Sequence, residues 1–324
     1  MPKPDATINR SMVMRVKLMK AQNTVYTPSN FPITLEEIPN RTEPDKVLMV
    51  SPEYFDIVDV KNVHMHHNQG NVNHKLAQKQ WLDLLNIYQK LQEQNILSAI
   101  KVLAGKEGCE DMVFAANQSF PWISTQGIKQ VVVSKMRHES RKKEVPYFEK
   151  SYLQDYYQLL HLNQAELFEG MGDAIPLPGK RLIFGGYGHR SDRKALEEIA
   201  NMLETPIIAL ELINEKFYHL DTCFIPLNTE TCLLFPGAFQ PEDLKGLQKL
   251  FKTVVEIPEN EAAKGFALNA HIMQKNGSKA AIIQTGNPYT TSVLEKNGYQ
   301  IYQTETSEYI KSGGSVFCMK MMWY

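Results

Sequence analysis

The feature that most constrains this chain is its rhythm. From about residue 46 onwards, short apolar runs of strand length alternate with amphipathic helical segments. Residues 47–51 read as a first buried strand. Over 75–94, Ala77, Trp81, Leu84, Leu85, Tyr88 and Leu91 recur at the helical period. Strands are predicted at 98–103, 111–117, 130–134 and 181–185, with an aromatic-rich helix at 147–161. Ser191 is the expected N-cap of a helix over 192–203, whose Ala195, Ile199, Met202 and Leu203 share one face. Further strands are predicted at 206–212, 223–227, 232–235, 254–258, 280–284, 300–304 and 318–323, with helices at 241–251 and 287–297. The alternation repeats roughly every 50–60 residues without visible sequence self-similarity. It predicts an α/β protein of repeated units around a common centre, not one doubly wound sheet. Residues 1–45 are polar, proline-containing and aperiodic, so they are expected to form an N-terminal arm or extension, with residues 46–324 as the main domain.

Composition removes several classes of function. The 324 residues carry 35 basic and 36 acidic side chains, a net charge of −1, so no basic surface for nucleic acid or an anionic membrane is expected. No run approaches the roughly 18 apolar residues of a spanning helix. Arg15 interrupts the apolar stretch near the N-terminus, against a secretory signal. Cys109, Cys223, Cys232 and Cys318 show no C-x-x-C spacing, so neither a disulfide framework nor a zinc finger is indicated. A reducing cytoplasm is the expected setting, and it keeps a thiol nucleophile available. His64, His66, His67 and His74 form a histidine-rich loop without a metal-ligand pattern, and no metal or cofactor is expected.

Five segments place polar residues or glycine beside predicted strands, where a core would want apolar ones. They are Asp111–Asn117, Phe168–Asp173, Gly186–Ser191, Phe217–Thr222 and Ser312–Cys318. Each alone has a bland explanation as a turn or a satisfied polar residue. Together they supply a thiol, a histidine, several carboxylates and two glycine turns. Attack on a guanidinium carbon wants that set. Carboxylates must grip its N–H groups, a thiolate must attack one face, and a histidine must protonate the departing ammonia.

On these residues the chain resembles the guanidino-group modifying superfamily, which holds arginine deiminases, dimethylarginine dimethylaminohydrolases and amidinotransferases. The motifs are Glu-Gly-x-Gly-Asp (Glu169–Asp173), His-Leu-Asp-Thr (His219–Thr222) and Gly-Gly-x-x-x-Cys (Gly313–Cys318), in the superfamily's order. The Asp111–Asn117, Phe217–Phe224 and Phe235–Phe239 stretches are most similar to its arginine dihydrolase branch. The resemblance covers roughly residues 46–324. It implies a pentein α/β propeller, with five ββαβ-type blades around a central channel that holds the site.

It also implies roles. Cys318 matches the nucleophile and His219 the general acid/base. Asp221, placed two residues on along an expected strand, would hold guanidinium nitrogens together with Glu169, which would also orient His219. Arg190 and Arg141 match groups for the substrate α-carboxylate, a task suited to the guanidinium fork. Asn62, followed by Val63 where relatives carry proline, and Ser312 join them at the substrate. The expected activity is hydrolysis of arginine to ornithine, carbon dioxide and two ammonia. Deimination to citrulline, dimethylarginine hydrolysis, amidino transfer and a non-catalytic binding module are the alternatives. The expected partner is arginine or a close relative, and a homo-oligomer is compatible with the sequence. Asn117 separates the first two readings. Deiminases resembling this chain carry aspartate there, which only accepts hydrogen bonds, whereas asparagine both donates and accepts.

Overall fold

The computed structural model describes residues 23–324. After a two-residue strand β1 (Val25–Tyr26), β2 (Lys46–Val50) leads through helix α1 (His74–Glu93) to β3 (Ala99–Leu103). Then come β4 (Ser119–Ile123), β5 (Lys129–Val133), helical turns over 139–156, and β6 (Gln158–His161). Next are β7 (Ala174–Pro176), β8 (Ile183–Tyr187), α2 (Arg193–Met202) and β9 (Ile207–Glu211). They are followed by β10 (Phe224–Pro226), β11 (Thr231–Leu234), α3 (Pro241–Leu250) and β12 (Thr253–Glu256). Last are β13 (His271–Lys275), β14 (Ser278–Gln284), α4 (Pro288–Lys296), β15 (Gln300–Thr304) and β16 (Met321–Trp323).

One pattern organises these strands. In four successive units the first strand pairs antiparallel with the second, and the chain returns through helix to lay the third parallel to the second. A parallel neighbour requires such a crossover, whereas the antiparallel one needs only a short turn. The fifth sheet has the same order but is assembled from distant segments. β16 lies antiparallel to β2, with Met322 opposite Val47, and β2 runs parallel to β3. Among the described residues there are thus five mixed sheets, and β1 adds a fourth strand to one by pairing with β9.

The helices form where the periodicity places them. In α1, Ala77, Trp81, Leu84, Tyr88 and Leu91 are buried. Asn73 caps its first turn by accepting from the Leu76 amide, and Asn95 ends it in the left-handed region. Residues 1–22 of the expected arm lie outside the described residues. Residues 23–45 lie against the sheets: Ile33, Leu35 and Ile38 are buried in a core with Phe184, Phe217 and Phe224, and Arg41 donates to the Tyr324 hydroxyl at 2.5 Å.

Several local expectations are corrected. Residues 111–117 are buried turns, not a strand. Their backbone is satisfied without a ladder: the Phe114 amide donates to the Asp111 carbonyl, and the Ala116 amide to that of Cys318. The helix expected over 147–161 stops at residue 156, because 158–161 pairs with β5. Asp192, not Ser191, is the N-cap of α2, which leaves the Ser191 hydroxyl free for other contacts. His219 and Asp221 do not sit on a strand; they flank and occupy a turn over Leu220–Thr222.

Candidate active site

The five sheets share one further property. The segment entering the first strand of each unit carries a buried polar residue: Asn117 before β4, Glu169 before β7, His219 and Asp221 before β10, Asn269 before β13, and Cys318 before β16. Single helical turns at 170–172, 220–222 and 267–269 occupy these entries and pack on one another in succession. Residues scattered over 200 positions meet because each occupies the same place in its own unit.

Glycine lets these turns approach. Gly170 has φ +56°, and a Cβ there would lie 2.7–2.8 Å from the carbonyl oxygens of Ala116, Asn117 and Ser119. Gly313 has φ +86° and lies under the Tyr218 hydroxyl, which donates to its carbonyl at 2.6 Å.

At the centre the Cys318 thiol donates to Asp221 Oδ2 at 3.2 Å, and Asn269 Nδ2 donates to Cys318 Sγ at 3.1 Å. The Asn269 side-chain oxygen accepts the backbone amides of Ser315 and Cys318. Burial, and then the facing Asp221 carboxylate, push the thiol well above its ordinary range. Burial also raises the Asp221 carboxyl to about 7, opposed by its bond from Cys318. Asp221 Oδ1 is buried and has no hydrogen-bond partner among the described residues.

A second cluster orients the histidine. His219 Nε2 lies 2.7 Å from Glu169 Oε2. That oxygen also accepts from Arg190 Nη1 at 3.0 Å, while Glu169 Oε1 accepts the Arg137 amide. Burial works to raise the Glu169 carboxyl, but Arg190 and His219 overcome it and hold the group well below the usual carboxylate range. Both oxygens thus carry a bond, and the one to Nε2 fixes the His219 ring. Ser191 Oγ accepts the Glu169 amide and donates to Asp173 Oδ2, which braces the same turn.

His219, Cys318, Asn117, Arg141, Arg190, Asn62 and Ser312 all line one small cavity of about 20 Å³, while Asp221 borders a larger one beyond it. Arg141 is buried and bonds Asn117 Oδ1 at 2.9 Å, Glu144, and the carbonyls of Asp111 and Phe114. Most of its N–H groups are therefore engaged. Arg190 makes fewer contacts, to Glu169 and the Lys61 carbonyl, with its guanidinium 4.6 Å from the Tyr218 ring centre. Asn62 donates to the Ser312 carbonyl at 2.9 Å, and Ser312 Oγ donates to Asp111. His64 leaves the histidine-rich loop to bond the Lys216 carbonyl and pack on Phe266.

Sequence reasoning missed Asn269 and Glu144. Asn269 was findable as the residue at the matching place in the repeat, had β13 been seen. A pH dependence follows from Asp221. Protonated below about 7, it loses the charge that pairs with a guanidinium. The kcat/KM for a cationic substrate is therefore expected to fall about tenfold per pH unit below that midpoint. A pH–rate series checks it, and a flat profile from pH 5.5 to 7.5 would remove Asp221 as the ionising group.

A buried thiol with one carboxylate against it and a histidine held by a second carboxylate thus meet at one centre. The chain belongs to the family described as N,N dimethylarginine dimethylhydrolase, eukaryotic, whose model matches residues 51–323. It is 31% identical over 277 residues to the bifunctional arginine dihydrolase/ornithine cyclodeaminase ArgZ of Synechocystis, covering 85% of this chain but 37% of that protein. It is 29% identical over 273 residues to the dimethylarginine dimethylaminohydrolase of Mycobacterium tuberculosis, covering 83% of each. The crystal structure of the ArgZ N-terminal domain, a cysteine-to-serine variant bound to substrate, superposes with a TM-score of 0.76 at 29% identity. That match covers 85% of this chain and 97% of that one. The fold is thus the α/β fold of these enzymes. No helix among the described residues is long and apolar enough to cross a membrane.

Proposed function

We propose that the chain hydrolyses free arginine twice, giving ornithine, carbon dioxide and two ammonia, with residues 46–324 as the catalytic domain. The five like sheets, sealed by β16 on β2, support reading it as a five-bladed propeller with the site in its central channel. The observation that carries the activity is the convergence of Cys318, Asp221, His219 and Asn117 at equivalent strand entries.

The guanidinium N–H groups bind Asp221, whose Oδ1 is the unpartnered acceptor. The bound cation favours the carboxylate and the thiolate together, offsetting the burial that raises both groups. Cys318 Sγ then attacks the guanidinium carbon, with Asn269 holding the sulfur. His219, steadied by Glu169, protonates the leaving ammonia and then deprotonates the water that releases citrulline. Arg190, the less engaged of the two arginines, takes the α-carboxylate, while Arg141 braces Asn117 beside it. In the second round Cys318 attacks the ureido carbon, a second ammonia leaves, and water releases a carbamate that falls apart to ornithine and carbon dioxide.

Asn117 decides between one round and two. Its Oδ1 accepts from Arg141 and its Nδ2 faces the Glu169 carbonyl at 3.4 Å. An amide can donate to the ureido oxygen of citrulline, and a carboxylate cannot. Wild type is expected to release two ammonia per arginine, and Asn117→Asp one, with citrulline accumulating. Ammonia, citrulline and ornithine measured together test this, and a wild-type enzyme that stops at citrulline would make it a deiminase. Because the matching family model takes its description from dimethylarginine hydrolysis, dimethylarginine belongs in the same assay. Dimethylamine released faster than ammonia from arginine would make the methylated compound the substrate.

A further inference from the structure

Beyond Asp221 from the small cavity lies a larger one, of about 500 Å³, within the size range of ligand pockets. Ile175, Phe224, Ile225, Leu268, Ile272 and Phe317 give it mainly apolar walls. Two charged pairs in its lining are matched: Arg41 with Glu43, and Lys275 with Asp45, each at 2.6 Å. Asp221, which also lines it, is satisfied at Oδ2 by the Cys318 thiol and unpartnered at Oδ1. Lys320 has no such partner at all. Its side chain is fully buried, it lines this cavity, and Nζ has no hydrogen-bond partner among the described residues. Nζ lies over the Phe317 ring, 3.2 Å from its centre, a contact that repays only part of the desolvation of a charge. Asp221 acts on it through space, without an ion pair.

We propose that this cavity binds a small organic anion, a carboxylate on a compact apolar body, with Lys320 as the charged anchor. A mostly apolar pocket with one convergent polar group is the usual form of such a site, and a carboxylate supplies the hydrogen bonds that the ring face cannot. Burial holds Lys320 down at about 7, so an anion that restores its charge gains from a group already in place. Lys320 is two residues from Cys318 and acts electrostatically on both Cys318 and Asp221. An occupant would therefore bear on the nucleophile without touching it. The proposal does not depend on which guanidine is hydrolysed.

The test is calorimetric titration of the whole protein at pH 7 with 4-methylpentanoate, using 4-methylpentanamide as the neutral control. The acid is expected to bind one to one, at least tenfold more tightly than the amide. Lys320→Met should weaken the acid tenfold or more and leave the amide unchanged. Ile225→Trp, which fills the apolar part and keeps Lys320, should abolish binding of both while arginine turnover persists. Equal binding of acid and amide, wild-type affinity in Lys320→Met, no binding to the wild type, or simple competition with arginine would each overturn the assignment.

Discussion

Replacing Cys318 by serine is expected to lower turnover by several orders of magnitude while leaving the circular dichroism and melting profile near those of the wild type. The substitution is nearly isosteric in a buried position, and the hydroxyl can still donate to Asp221. The hydroxyl is far less readily ionised, and nothing in the site would make it a comparable nucleophile. The resting thiol is also held protonated by burial and by Asp221. A cationic haloacetamidine should therefore alkylate Cys318 at least about tenfold faster than neutral chloroacetamide, because only the cation offsets that carboxylate. Cys109, Cys223 and Cys232 are buried too, and burial raises all three thiols, so they should be spared. Mass spectrometry that finds the label spread over all four cysteines would remove Cys318 from its role.

The second large effect is expected at His219. It meets Glu169 at 2.7 Å and lines the same cavity as Cys318. His219→Gln keeps a polar side chain that can reach Glu169 but cannot carry a proton to and from the reacting groups. General acid–base catalysis contributes about 10²–10⁴-fold, and that loss should fall on kcat with little change in KM. Glu169→Gln should show part of the same loss, because it acts through the histidine. Steady-state kinetics on both variants decides it. A His219→Gln enzyme within tenfold of wild type would assign the proton transfers elsewhere.

How much of this was legible in the sequence depended on whether local pattern or long-range pairing shapes each segment. Helix α1 carries its apolar stripe and its asparagine cap in adjacent residues, so it could be read directly. Strands β4, β7 and β13 could not. They contain Pro121, Pro176, or His271 with Gln274 and Lys275, and they are strands because a neighbour pairs with them. Missing β13 hid Asn269, whose amide touches the sulfur. The apolar run at 111–117 misled for the opposite reason: burial alone accounts for it, and its turns are held by Arg141 and by the carbonyl of Cys318. Glu169 was found, but its bonds to Arg190, His219 and the Arg137 amide were not visible from spacing. Lys320 gave no signal, since a lysine near the end of a chain reads as solvated.

The pairing of β16 with β2 has a consequence for the order of folding. Met321 sits opposite Leu48, so this ladder closes nearly the whole chain into one loop. The entropy of such a closure is about 5 kcal/mol, against three residue pairs gained. Apart from the added β1 strand, the other four sheets close over far shorter spans, so this closure should form last. Cys318 lies just before β16, and its carbonyl accepts from Ala116, so the thiol would join the other groups only in this final step. In a refolding experiment, labelling of Cys318 by the cationic probe should then lag behind recovery of far-ultraviolet dichroism; coincident traces would refute the order. A chain stalled short of that step would be largely built and yet chemically silent.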